Sequence, residues 1–119
     1  MSSPSLAELT DRLLAFRDAR DWAQFHGLKD LMLSLQIEAA ELLELAQWKS
    51  DAQLEGLLDD PDFRARLADE TADVLSYLLL LCDRAGIDPA RAVADKVDRN
   101  EQRYPAHLSQ GNARKYTEL

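Results

Sequence analysis

The sequence predicts an all-α fold, a four-helix-bundle-like arrangement with one extra short helix, and three observations predict it. Apolar residues recur at helical spacing, about 100° per residue, through four long segments near residues 6–20, 28–49, 61–86 and 89–103. Asp60-Pro61 and Asp88-Pro89 each put a good N-cap residue before proline at the first helical position, and Gly86 is a natural helix terminator. The chain is 46% hydrophobic with only four Gly and four Pro, which suits a folded chain with few breaks. At 119 residues it is long enough for one domain with a proper core and short for two, so a single domain over 1–119 is expected.

Ser5 with Glu8 three residues on reads as a capping box, and Leu6, Leu9, Leu13 and Phe16 follow on one helical face. The stretch DWAQFHG breaks that period and gathers Trp22, Phe25 and His26 in a short connection closed by Gly27, a composition that suits a binding surface. The second helix should end near Trp48 and Lys49. Ser50 with Gln53 caps a short helix carrying Leu54, Leu57 and Leu58. The run from Val74 to Leu81 is apolar on nearly every face, more than a small bundle buries internally, so part of it is expected in a subunit interface. After Tyr104-Pro105 the tail, about 104–119, shows no period and should be irregular.

Carboxylates stand where core residues belong. The stripe Leu31, Leu35, Leu42, Leu45 has Glu38 in its middle, with Glu41 one turn on and to the same side. The stripe Phe63, Leu67, Val74, Leu81 holds Glu70, with Asp73 three further on. Unpaired carboxylates are costly to bury and are normally neutralised, paired or bound to metal. Two helices that each turn an acidic pair inward point to a divalent cation on Glu38, Glu41, Glu70 and Asp73, and oxygen-only ligands suit Mg²⁺, with Mn²⁺ as a substitute. A carboxylate-bridged di-iron bundle would need Glu-x-x-His, whereas position 41 is Glu and position 73 is Asp.

With 22 Asp and Glu against 14 Lys and Arg the net charge is −8, which argues against a nonspecific nucleic-acid coat. An anionic ligand must then be met by a metal or a local basic cluster. Lys96, Asn100 and Arg103, at i, i+4 and i+7, form such a positive, hydrogen-bonding stripe beside Val93 and Val97. Trp22, His26 and Trp48 flank the first acidic segment and could line a flat pocket for a base. Cys82 is the only cysteine, so no intrachain disulfide forms, and its apolar setting suggests a buried, reduced thiol. The start MSSPSLAELTD shows no signal-peptide pattern, and the longest apolar run is far short of the roughly 20 residues of a membrane span. A cytoplasmic protein without membrane or nucleic-acid partners is the expectation. No Gly-rich phosphate loop occurs.

The stretches RDWAQFHGLKDLMLSLQIEAAELLELAQWKSD, DETADVLSYLL and KVDRNEQRYPAHLSQGNARKYTEL closely resemble the MazG-like superfamily of all-α nucleoside triphosphate pyrophosphohydrolases, within it the dCTP pyrophosphatase-like branch. The likeness runs from Arg20 onward and rests on E-x-x-E, E-x-x-D and K-x-x-x-N-x-x-R-Y-P taken together; Leu28 departs from it, standing where relatives often have proline. It implies Mg²⁺-dependent cleavage between the α and β phosphates, yielding a nucleoside monophosphate and pyrophosphate. It implies metal ligands at Glu38, Glu41, Glu70 and Asp73, and phosphate contacts at Lys96, Asn100 and Arg103. The base pocket it implies falls on Trp22, His26 and Trp48, with Tyr77 near the acidic helix face. It further implies a tetramer built as a dimer of dimers, a dimer being the smaller expectation.

The expected reaction is hydrolysis of dCTP or 5-modified dCTP to the monophosphate, a cleansing of the nucleotide pool, with Glu41 as the favoured base among the four acids. A broad-specificity or dUTP-directed pyrophosphohydrolase is the alternative enzyme. The non-enzyme alternative is a helical interaction module whose acids merely pair with Arg64, Arg66 and Arg84.

Overall fold

A computed structural model of the protein describes residues 2–118, and among them every regular element is helical. Six α-helices follow in order: α1 (Leu6–Ala19), α2 (Leu28–Glu44), α3 (Asp51–Leu57), α4 (Pro61–Ala85), α5 (Pro89–Arg103) and α6 (Ala106–Ser109). Short 3₁₀ turns cover Ala23–Phe25 and Tyr116–Glu118. The helices fall into two compact units that divide after Gly86, the first holding α1 to α4 and the second α5, α6 and the tail.

Local sequence sets these boundaries. The Asp60 side chain accepts from Asp62 N–H at 3.0 Å, and Asp88 accepts from Ala90 and Arg91 at 3.0 and 3.3 Å, each just ahead of a proline whose missing N–H costs the first turn nothing. Ser50 and Gln53 form the complete reciprocal capping box. Ser5 makes only half of one: its hydroxyl accepts from Glu8 N–H at 3.1 Å and donates to the Glu8 carboxylate at 3.2 Å, so Ser5 N–H goes without that partner. Gly86 closes α4 at φ 71°, a left-handed conformation that glycine adopts without a Cβ penalty.

Two boundaries differ from expectation. α2 stops at Glu44 rather than near Lys49, because the N–H groups of Leu45, Ala46 and Gln47 bond to carbonyls three residues back and Trp48 turns left-handed at φ 66°. The tail is not wholly irregular. Pro105, which cannot extend α5, opens the single turn α6, and Asn112 then closes it by donating to Leu108 O at 3.1 Å.

Within the first unit α4 is the central rod: α2 packs along it and α1 lies against it. The core is Leu31 and Leu45 from α2 and its end, with Phe63, Leu79, Leu80 and Cys82 from α4; Leu31 and Leu79 are each only 2% exposed. The stripe residues Leu35, Leu42, Leu67, Val74 and Leu81 are half-buried around them. Cys82 is a buried free thiol. The outward face of α2 leaves Met32, Leu33, Ile37 and Leu43 in solvent, Leu43 at 70%, and α4 leaves Leu75 and Leu78 partly exposed. No helix among the described residues is long and apolar enough to cross a membrane.

Candidate active site

Glu38 and Glu41 lie one turn apart on α2, Glu70 and Asp73 one turn apart on α4, and these are the two helices that pack most extensively on each other. One carboxylate oxygen from each of Glu38, Glu41 and Glu70 lies within 4.8 Å of the others, and all three side chains are half-buried. Asp73 stands outside this triad and is more exposed, yet its charge reaches both Glu38 and Glu70.

Like charges this close cannot all ionise at neutral pH without cost. Glu38 is accordingly pushed up to about 7, first by a hydrogen bond with Glu41 that requires the protonated form, then by burial, then by repulsion from Glu41, Asp73 and Glu70. Glu70 is raised as well, chiefly by burial and then by the charges of Glu41 and Asp73. Basic side chains do not relieve the cluster. The single salt bridge among the described residues joins Arg17 to Asp18, and Arg64 spends a donor on Leu58 O at 3.3 Å. A module whose acids pair with Arg64, Arg66 and Arg84 is therefore not what the structure contains.

The triad fits a divalent cation. Glu38 Oε2 and Glu70 Oε2 are buried with no hydrogen-bond partner, so each has a lone pair directed at nothing. Ligand oxygens on opposite sides of Mg²⁺ stand about 4.2 Å apart, twice the roughly 2.1 Å bond, and one oxygen from each triad member lies within 4.8 Å of the others, close enough for one ion to gather them after small side-chain adjustments. Hard oxygen donors with no nitrogen or sulfur among them suit Mg²⁺ or Mn²⁺.

Beside the acids on α4 lies a cavity of about 210 Å³ lined by Trp22, His26, Asp73 and Tyr77 together with Leu13, Phe16, Arg17, Ser76 and Leu80. It is smaller than the roughly 300 Å³ at which whole-ligand pockets begin, a space for a planar ring rather than a nucleotide. Its walls are aromatic: Trp22 packs edge-on to Phe16 at 5.8 Å, and His26 to Tyr77 at 6.5 Å. His26 Nδ1 is buried and unpartnered. The connection that carries these groups is held by its backbone, with Trp22 N–H donating to Arg17 O at 3.1 Å and Asp21 turned left-handed at φ 54°.

Trp48 does not line this cavity. It stands 92% exposed on the turn that follows α2, while Trp22 precedes that helix. Lys96, Asn100 and Arg103 all lie on α5, Lys96 and Arg103 exposed and Asn100 half-buried, and Arg103 rests its guanidinium 5.0 Å from the Tyr116 ring. Of the cavity residues, Phe16 reads in the sequence only as part of the α1 apolar face and Arg17 and Ser76 are not singled out, although Leu13, Phe16 and Arg17 share a helical face at i, i+3 and i+4.

The all-helical unit thus brings three converging, uncompensated carboxylates, a donor set that fits a cation, beside an aromatic cavity. The chain belongs to the MazG-like family, whose model matches residues 33–119. It is 47% identical over 116 residues to dCTP pyrophosphatase 1 of Rattus norvegicus, which covers 98% of this chain and 68% of that protein. Against dCTP pyrophosphatase 1 of Homo sapiens the identity is 44%, with the same shares covered. The crystal structure of a pyrophosphatase from Archaeoglobus fulgidus superposes with a TM-score of 0.78 at 42% identity, covering 88% of this chain and 96% of that one.

Proposed function

We propose that the protein is a Mg²⁺-dependent nucleoside triphosphate pyrophosphohydrolase that cleaves dCTP, or its 5-modified forms, to the monophosphate and pyrophosphate. In this reading it keeps the nucleotide pool clean, in the cytoplasm, with 1–119 acting as one domain. The observation that carries it is the carboxylate triad within 4.8 Å with no basic partner. The dCTP pyrophosphatases that match nearly the whole chain support the choice of substrate.

Glu38, Glu41, Glu70 and Asp73 would hold the metal, and Mg²⁺ when bound offsets the charge of the triphosphate and of the developing transition state. The chain's own groups do the rest. Glu41 is the carboxylate whose charge bears on both Glu38 and Glu70, and this central place suits it to take the proton from the attacking water. The motif K-x-x-x-N-x-x-R assigns Lys96, Asn100 and Arg103 to the β and γ phosphates, two cations and an amide matched to anionic oxygens. Trp22, His26 and Tyr77 stack and orient the base in their cavity. Trp48, exposed on its left-handed turn, and the bare apolar face of α2 suit a contact with a second copy, in keeping with a homo-oligomer, dimer or dimer of dimers.

Turnover of dCTP with product analysis tests this. With Mg²⁺ the products should be dCMP and pyrophosphate, chelator should stop the reaction, and Glu38→Gln should cost about 10²-fold or more, the size of effect seen when one group that stabilises transition-state charge is lost. A Glu38→Gln protein with full activity, or release of inorganic phosphate instead of pyrophosphate, would overturn the proposal.

A further inference from the structure

Arg17 is the one cationic side chain lining the aromatic cavity. It projects from the last turns of α1, its side chain only 23% exposed, and its own carbonyl anchors Trp22 N–H at 3.1 Å. Asp18 orients the guanidinium: Nε and Nη2 both reach Asp18 Oδ1, at 2.9 and 2.8 Å. A guanidinium has five N–H donors in a rigid plane. With those two directed at Asp18, both hydrogens on Nη1 and one on Nη2 are left, an end-on fork of adjacent donors. The one carboxylate among the lining residues is Asp73, on α4, and the remaining polar lining is Ser76, Tyr77 and His26.

We propose that Arg17 is a specificity-determining residue whose free donor fork reads the base in this cavity and selects cytosine over uracil. Cytosine presents two adjacent acceptors, the ring nitrogen N3 and the oxygen O2, which match two neighbouring guanidinium N–H groups. Uracil carries a hydrogen on N3, so the same fork meets a donor there, and that donor–donor repulsion offsets the bond to O2. Polar-edge mismatch of this kind discriminates far more strongly than shape. Lysine, a point charge without a fork, would reproduce only part of the recognition. The inference rests on the cavity being the base subsite of the function proposed above.

Steady-state kinetics of the full chain with Mg²⁺ test it, comparing Arg17→Met and Arg17→Lys with the unsubstituted protein on dCTP, dUTP and 2-deoxyribose 5-triphosphate, which lacks a base. Arg17→Met should lose about ten-fold in kcat/KM on dCTP, the lower end for a hydrogen bond to a charged group, with the loss in KM. On dUTP and on the base-less probe it should change by less than about two-fold, and Arg17→Lys should recover part of the dCTP loss. Unaltered turnover of the base-less probe also shows that the variant is folded. Equal losses on dCTP and dUTP, a matching loss on the base-less probe, or no loss on dCTP would each overturn the proposal. Trp22→Ala, run in parallel, separates the two levels: if it raises the dCTP KM while Arg17→Met does not, Arg17 alone is excluded. If neither substitution moves that KM, the cavity is not the base subsite.

Discussion

The acid cluster and the aromatic cavity share α4 and are held in place in opposite ways. Glu38, Glu41 and Glu70 project from the middles of two long helices locked by Leu31, Leu79 and Leu80, so their convergence is a property of helix packing. The cavity is assembled from the end of α1, a 3₁₀ turn and one face of α4, and its key aromatic, Trp22, is fixed by two backbone bonds, its N–H to Arg17 O and its carbonyl accepting from Phe25 N–H, and by an edge contact with Phe16. A rigid site suits the invariant part of a substrate, the phosphates. A site built partly on a connection suits the part that varies, the base.

The largest effect should come from loosening the rigid half. Leu31 lies on the same α2 face as Glu38, two turns earlier, and is 2% exposed, so Leu31→Ala removes a core side chain from between α2 and α4. Deleting a fully buried Leu costs about 2–5 kcal/mol, a large share of the roughly 5–15 kcal/mol that holds a domain of this size. Chemical denaturation should show the loss as a lower midpoint, with no help from nucleotide until enough protein is folded to bind it. A change under about 1 kcal/mol would mean that the helix pair is not what holds the acids together.

Trp22→Ala should do the reverse. Trp22 is partly exposed and sits on a connection, so stability should move little. Stacking of a base on an aromatic ring is worth about 1–3 kcal/mol, which predicts a KM for dCTP raised about ten-fold, with kcat and Mg²⁺ dependence near those of the unsubstituted protein. A fall in Mg²⁺ affinity from this substitution would erase the division between a rigid phosphate half and an adaptable base half.

The same division explains what the sequence disclosed. The acid pairs were legible because periodicity places residues on a helix face, and Glu38 and Glu70 interrupt stripes of Leu, Phe and Val whose members Leu31, Leu45 and Phe63 are indeed buried. The Asp-Pro and Ser-x-x-Gln starts were legible because capping is local chemistry. The cavity was legible only in part. Trp22 and His26 announce themselves as aromatics in a connection, but Phe16, Arg17 and Ser76 join them through the packing of α1 on α4, which no local spacing encodes. Trp48 lies outside this cavity for the same reason: its exposure is set by the left-handed turn that follows α2, which spacing does not encode.

The smallest expected effect is the most direct probe of the acid cluster, the stability of the metal-free protein against pH. Glu38 rises from the ordinary 4.5 to about 7 in the fold, and Glu70 is raised too, so the folded state holds these protons more tightly than the unfolded chain does. Stability from this source is fully present below about 4.5 and is lost as the pH climbs through about 7, when charges that the unfolded chain disperses must stand side by side. Thermal melts in chelator should therefore show a midpoint that falls by a few degrees between pH 5 and pH 8. Millimolar Mg²⁺ should restore it at pH 8 and do little at pH 5, where protons compete for the same oxygens. Glu38→Gln removes one of the repelling charges and should flatten the fall. If the melt is already flat without the substitution, or if Mg²⁺ stabilises equally at both pH values, the acids are not coupled as their geometry requires, and the contrast with the cavity loses its physical basis.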